Sequence, residues 1–190
     1  MAAAERVTEL FSKDIDMSDV QDKSDIIEVI NLYGVALDSH AWDLLDDVFT
    51  ADVVADFGPA GALWKSCDAL KFAFKDFHET LTNHMHTMMG TCVHIEGDKA
   101  CALTYGDWLL SRDSAEGGPD WVGRGWYDDE LVRTPRGWRI SHRVCRLISW
   151  TGNVNVPQPA HEQRPVMTTY TLRSAREAGT VRYFNAIAKK

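Results

Sequence analysis

The chain divides where the spacing of its apolar positions changes. From Ser24 to Asp38 they recur every three to four residues, at Ile26, Ile30, Tyr33 and Leu37. Ser24 is a good N-cap, and Asp25 lies in the first turn, where the helix dipole favours an acid. A helix over about 24–38 follows. A second short helix runs from Trp42 to Phe49 on Leu44, Leu45 and Val48. Thr50-Ala51-Asp52 breaks it, residues 53–57 read as a strand, and Gly58-Pro59-Ala60-Gly61 reads as a loop. Ser66 caps a third helix with an apolar stripe of Leu70, Phe74, Phe77 and Leu81. From residue 84 the period falls to two, which predicts strands over about 84–95, 99–112, 121–133 and 137–150. Glu96-Gly97-Asp98 and Thr134-Pro135-Arg136-Gly137 supply tight turns, and residues 114–119 a wider connection. Residues 151–165, rich in Pro, Gln and Asn, read as a loop or lid, and a last helix is expected around 173–187. The resulting division is an N-terminal arm (1–22), one domain (23–150) and a C-terminal extension (151–190). Helices followed by a meander of long strands indicate α+β, with the helices on one face of a curved antiparallel sheet.

Composition narrows the function. A length of 190 residues favours one domain, large enough to enclose a cavity. The net charge of -8, without a basic cluster, argues against nucleic-acid binding. No apolar run reaches the roughly 18 residues that span a bilayer, and no secretory leader is evident. Cys67, Cys92, Cys101 and Cys145 are scattered and read as reduced thiols, so a cytoplasmic protein is expected. The seven tryptophans are core material first, but several on one cavity wall would suit an aromatic ligand.

The sharpest chemical feature is His84-Met85-His86 at the head of the first long strand. Residues two apart share a face, so both imidazoles point the same way. With an ordinary pKa of about 6.5, histidine suits proton abstraction near neutrality. His84 and His86 with Asp107 could form a two-His-one-carboxylate set. His-x-His recurs by chance, however, and no metal or other cofactor is expected. Asp38 closes the first helix, where the dipole disfavours an acid. Asp107 falls within a largely apolar strand and needs a partner if buried. Arg143 and Arg146 lie on opposite faces of their strand, so only one can face a pocket. Nucleophile-elbow, phosphate-loop and dinucleotide fingerprints are missing from the sequence.

Four local patterns occur in order: Leu32-Tyr33-Gly34-Val35-Ala36-Leu37-Asp38; Trp42-Asp43-Leu44-Leu45-Asp46-Asp47-Val48-Phe49-Thr50-Ala51-Asp52-Val53; His86 twelve residues before the Gly97-Asp98-Lys99-Ala100 turn; and Gly137-Trp138-Arg139-Ile140-Ser141-His142-Arg143. Over residues 22–150 the chain resembles the SnoaL-like group of the nuclear-transport-factor-2-like cone folds. That group includes polyketide cyclases, scytalone dehydratase, bile-acid 7-alpha-dehydratase and hexachlorocyclohexane dehydrochlorinase. The resemblance implies a cone-shaped α+β barrel with three N-terminal helices on a strongly curved sheet. It implies a catalytic dyad of His86 and Asp38, assisted by Tyr33, Asp107 and Arg143, with Arg146 as the competing register. His84, Phe57, Trp108, Trp126 and Met88 would line the substrate site. The implied function is a cofactor-independent lyase that eliminates water or a similar small fragment from a small aromatic or polycyclic hydroxylated substrate. An isomerase or cyclase using the same dyad, a binding module, or the small subunit of an aromatic-ring dioxygenase are the alternatives. A homodimer or homotrimer packed through the sheet is expected. The chain departs from many such relatives at Gly90, where they carry Asn, and in its longer C-terminal extension.

Overall fold

The computed structural model describes residues 17–58, 62–157 and 167–188. Helix α1 (Met17–Asp38), a 3₁₀ turn (Trp42–Leu44) and α2 (Leu45–Val48) lead into strand β1 (Phe49–Asp56). A short β2 (Leu63–Trp64) and α3 (Cys67–His78) follow. The long strands are β3 (Asn83–Glu96), β4 (Lys99–Ser111), β5 (Asp120–Thr134) and β6 (Gly137–Gly152). They form one curled, unclosed six-stranded sheet in the order β2-β1-β6-β5-β4-β3, antiparallel except between β1 and β6. The α+β expectation holds, and the four strands fall within two residues of their expected limits.

Three boundaries differ. Helix α1 begins at Met17 rather than near Ser24, so residues 17–22 are helical. Its early turns are pinned by tertiary contact: Asp22 accepts both Nη groups of Arg133 at 2.7 and 2.6 Å and the indole N–H of Trp138 at 3.1 Å. Strand β1 starts at Phe49, where pairing to Ile140 of β6 overrides the weak local signal. The single C-terminal helix is two short ones, α4 (Leu172–Glu177) and α5 (Arg182–Ile187). The lid expectation falls mostly on residues 158–166, which lie outside the described residues.

One face of the sheet holds the main core with α1, α2 and α3. The other holds a smaller cluster of Leu103, Trp126 and Val181 beneath α4 and α5. Asp128 anchors that cover by accepting the backbone N–H groups of Arg182 and Tyr183 at 2.8 and 3.1 Å. Gly90 sits at a positive φ of 63° in a register shift between Met89 and Cys92. An extra residue at such a bulge reverses which positions face inward. Met88 and Val93 therefore both pack toward the core, whereas His94 lines a groove on the outer face.

Candidate active site

The site forms where the end of α1, the end of α3 and the start of β3 meet. Helix α1 stops in a Schellman arrangement: Ala41 N–H donates to Ala36 O and His40 N–H to Leu37 O, with His40 at φ 55°. That reversal holds Asp38 against β3 and turns the His40 ring toward His84. The approach is close, because a Cβ on Gly34 would stand 2.9 Å from the backbone oxygen of His86. Only glycine lets the helix lie this near the strand.

Asp38 Oδ1 contacts His86 Nδ1 at 2.8 Å and His84 Nδ1 at 3.2 Å, and Asp38 Oδ2 accepts the backbone N–H of His86 at 2.8 Å. Burial opposes the charged carboxylate, but the hydrogen bonds from His84 and His86 outweigh it and hold Asp38 well below 3.8. Both imidazoles are withdrawn from solvent, with 5% and 7% of their side-chain surface exposed. Because Asp38 engages the Nδ1 of His86, that nitrogen carries the proton and Nε2 is left as an acceptor.

His86 opens on a cavity of about 400 Å³, lined also by Tyr33, Tyr127, His78, Trp108 and Trp121. Phe57, Trp64 and Phe74 make its outer wall, joined edge to face. The volume suits a small organic ligand. Trp108 is the cross-strand partner of His86. The indole N–H groups of Trp108 and Trp121 are buried without an acceptor among the described residues. Tyr33 and Tyr127 pack edge to face at 5.7 Å, and burial raises both phenols far above 10, so both stay protonated. Beneath them Arg143, fully buried, forms a two-pronged ion pair with Asp129 at 2.8 and 2.7 Å. Its guanidinium lies 4.3 Å from the Tyr33 ring and 4.4 Å from the Tyr127 ring. Burial works against that charge, and Asp129 overcomes it.

Of the sequence-predicted residues, Asp38, His86, Tyr33, Phe57 and Trp108 converge here, with Arg143 directly behind. Four do not. Asp107 faces outward, cross-strand from Arg124 at 3.5 Å, because its neighbour Trp108 takes the inward position. Trp126 is the outward neighbour of Tyr127 and packs under Val181 and Tyr170. Arg146 points away from the cavity to Asp56 at 2.6 Å. Met88 packs beneath α1 at Gly34 rather than in the cavity wall. His84 stands beside the cavity, stacked on His40 at 5.1 Å with the two Nε2 atoms 2.9 Å apart.

Sequence reasoning missed Tyr127, Trp121 and His78. The signal for His78 was present: it continues the Cys67, Leu70, Phe74 face that α3 buries. Its Nδ1 donates to Phe74 O at 2.7 Å, and burial pushes its pKa down to about 3, so the ring is neutral. One nitrogen from each of His78, His84 and His86 lies within 4.8 Å of the others.

Residues 18–144 match the family model described as a SnoaL-like domain. An uncharacterized protein of Mycobacterium tuberculosis is 27% identical over 132 residues, covering 68% of this chain and 88% of the relative. A structure of a hexachlorocyclohexane dehydrochlorinase superposes with a TM-score of 0.65 at 16% identity, over 80% of this chain and 99% of the other. A nuclear-transport-factor-2-like protein of Salmonella enterica superposes with a TM-score of 0.59 at 18% identity, over 75% and 99%. At these identities the two structures establish the fold.

Proposed function

The chain belongs to the SnoaL-like domain family, and from that premise we propose that it is a cofactor-independent lyase acting on a small aromatic, hydroxylated molecule. The observation that carries this reading is the His86–Asp38 contact at 2.8 Å on the wall of a largely aromatic cavity.

The geometry supports a base-first elimination. His86 Nε2 takes a proton from a carbon beside an activating carbonyl or ring. Asp38, held ionised, stabilises the resulting imidazolium and fixes the ring's tautomer. The carbon–hydrogen electrons form the new double bond as the bond to the hydroxyl breaks. The departing oxygen collects the proton from the imidazolium, water leaves, and His86 is neutral again. Tyr33 stays protonated and serves as a hydrogen-bond donor to the oxygen that gains charge. Trp108 and Trp121 offer further donors to ligand oxygens. The dehydrochlorinase neighbour, named for the loss of hydrogen chloride, supports elimination over a binding role.

The test is turnover of one- and two-ring aromatic β-hydroxyketones, followed as loss of water by mass spectrometry. Wild type should dehydrate at least one of them. His86→Ala and Asp38→Asn should each lower kcat by about 10²–10⁴-fold with unchanged circular dichroism. Wild-type rates in both variants would refute the dyad. Exposed Met85, Met89 and Tyr105 on the outer face of β3 and β4 suit a sheet-packed homodimer or homotrimer, and light scattering would measure it.

A further inference from the structure

The dyad uses His86 and leaves His78 and His84 without a part. We propose that His78, His84 and His86 together form a binding site for a divalent first-row transition ion such as Zn²⁺ or Co²⁺, taken in competition with proton abstraction.

Three observations support the site. First, one nitrogen from each of the three rings lies within 4.8 Å of the others. Nitrogens bound tetrahedrally at about 2.1 Å stand about 3.4 Å apart, so closure needs shifts of at most about 1.4 Å. Second, the rings are oriented from behind. His78 Nδ1 donates to Phe74 O at 2.7 Å, and Asp38 engages the Nδ1 of His86 at 2.8 Å and that of His84 at 3.2 Å. A carbonyl or carboxylate on the far nitrogen is the support that ligating histidines characteristically have. It leaves Nε2 of His78 and His86, which meet no partner among the described residues, beside the cavity. Third, the donors are imidazole nitrogens on three buried side chains. Imidazole sets favour zinc, copper, nickel or iron, whereas calcium and magnesium require oxygen ligands. His40, whose Nε2 lies 2.9 Å from that of His84, either swings aside or becomes a fourth ligand.

The binding claim is independent of the proposed lyase activity. Only its consequence rests on that reading: an ion on His86 Nε2 occupies the lone pair that would abstract the proton, so metal should inhibit turnover and a chelator restore it.

Tag-free, metal-stripped full-length chain is titrated with Co²⁺ and followed by visible absorption and elemental analysis. The expected result is one saturable Co²⁺ per chain with the intense bands of a low-symmetry nitrogen site. Affinity should fall more than about 100-fold in His78→Gln and in His84→Gln. Absence of saturable binding in the wild type, or wild-type affinity in both variants, overturns the site. Should a variant lose its circular dichroism, an anomalous-scattering map of the wild-type crystal soaked in Co²⁺ decides. A peak among the three rings supports the proposal and a peak elsewhere refutes it. Failure of metal binding leaves the dyad untouched, whereas loss of turnover in Asp38→Asn reports on the dyad alone.

Discussion

The two faces of the sheet are built from the same strands by opposite means. Inward, β4, β5 and β6 present Trp108, Tyr127 and Arg143; outward, their neighbours are Asp107, Trp126 and Arg146. The inner face carries its charge as one fully buried pair, Arg143–Asp129, wrapped in tyrosine rings. The outer face spreads its ion pairs over partly exposed residues, Arg124–Asp107 and Arg146–Asp56, and buries Asp128 only where α5 caps it. It keeps its large aromatic, Trp126, under a lid of helices. Charge and aromatic surface are therefore not what mark the face that carries the candidate site. The mark is that titratable groups there are buried, paired and directed at a space that the described side chains do not fill.

The comparison can be broken most severely at the dyad. His86→Ala and Asp38→Asn should remove turnover by the 10²–10⁴-fold that positioned proton transfer is worth. Asp107→Asn, at a carboxylate next to the cavity-lining Trp108 in sequence but on the other face, should leave kcat unchanged in the same assay. The next largest contrast is in stability. Asp129→Asn strands a buried guanidinium and should cost about 3–5 kcal/mol in urea unfolding. Asp107→Ala, which breaks an exposed pair, should cost no more than about 1 kcal/mol.

An acid titration sharpens the difference between the faces. Asp38, Asp22 and Asp56 all sit below 3.8 in the folded chain: Asp38 through its histidines, Asp22 through Arg133, Asp56 through Arg146. A carboxylate lowered by folding contributes stability that is fully present above 3.8 and lost as pH falls through the folded value. Thermal midpoints should begin to fall below about pH 6.5, because His78, pushed down to about 3 by burial, takes up its proton only on unfolding, and should fall further below 3.8 as these carboxylates protonate. The decline should be shallower in Asp38→Asn, which has no carboxylate there to protonate. The smallest effect expected is in Trp108→Phe. Loss of one indole donor should weaken binding of a ketone probe by about 3- to 10-fold, the equivalent of one hydrogen bond, with little change in affinity for an aromatic hydrocarbon. Isothermal titration measures both.

Much of this was legible because periodicity reports local geometry directly. The switch from helical to alternating spacing near residue 84 located β3 to β6, and the resemblance paired Asp38 with His86. Facing is harder to read than strand limits. A run such as Trp126-Tyr127 is apolar on both sides, so no pattern says which ring is inward, and Arg143 and Arg146 stayed unresolved for that reason. Bulges compound the problem: one follows Met89 and another lies between Arg124 and Gly125, and each shifts the alternation. Asp107 was assigned to the pocket because its neighbours are apolar, and those apolar groups serve two different faces. The spacing of α3 puts His78 on the buried face with Cys67, Leu70 and Phe74, but that this face meets the start of β3 is a tertiary fact that local spacing does not encode.

Asp38 closes a helix of 22 residues, and His86 lies four residues into its strand. Substitutions along the exposed side of that helix leave the carboxylate where it is. A one-residue deletion between Ile26 and Leu37 does not: it turns Asp38 about 100° around the axis and draws it back about 1.5 Å. The same lesion between Asn83 and His86 exchanges the two sides of the strand. The dyad thus depends on a pair of counted lengths, and the chain can drift widely in residue identity while its reading frame through these two segments admits no insertion or deletion.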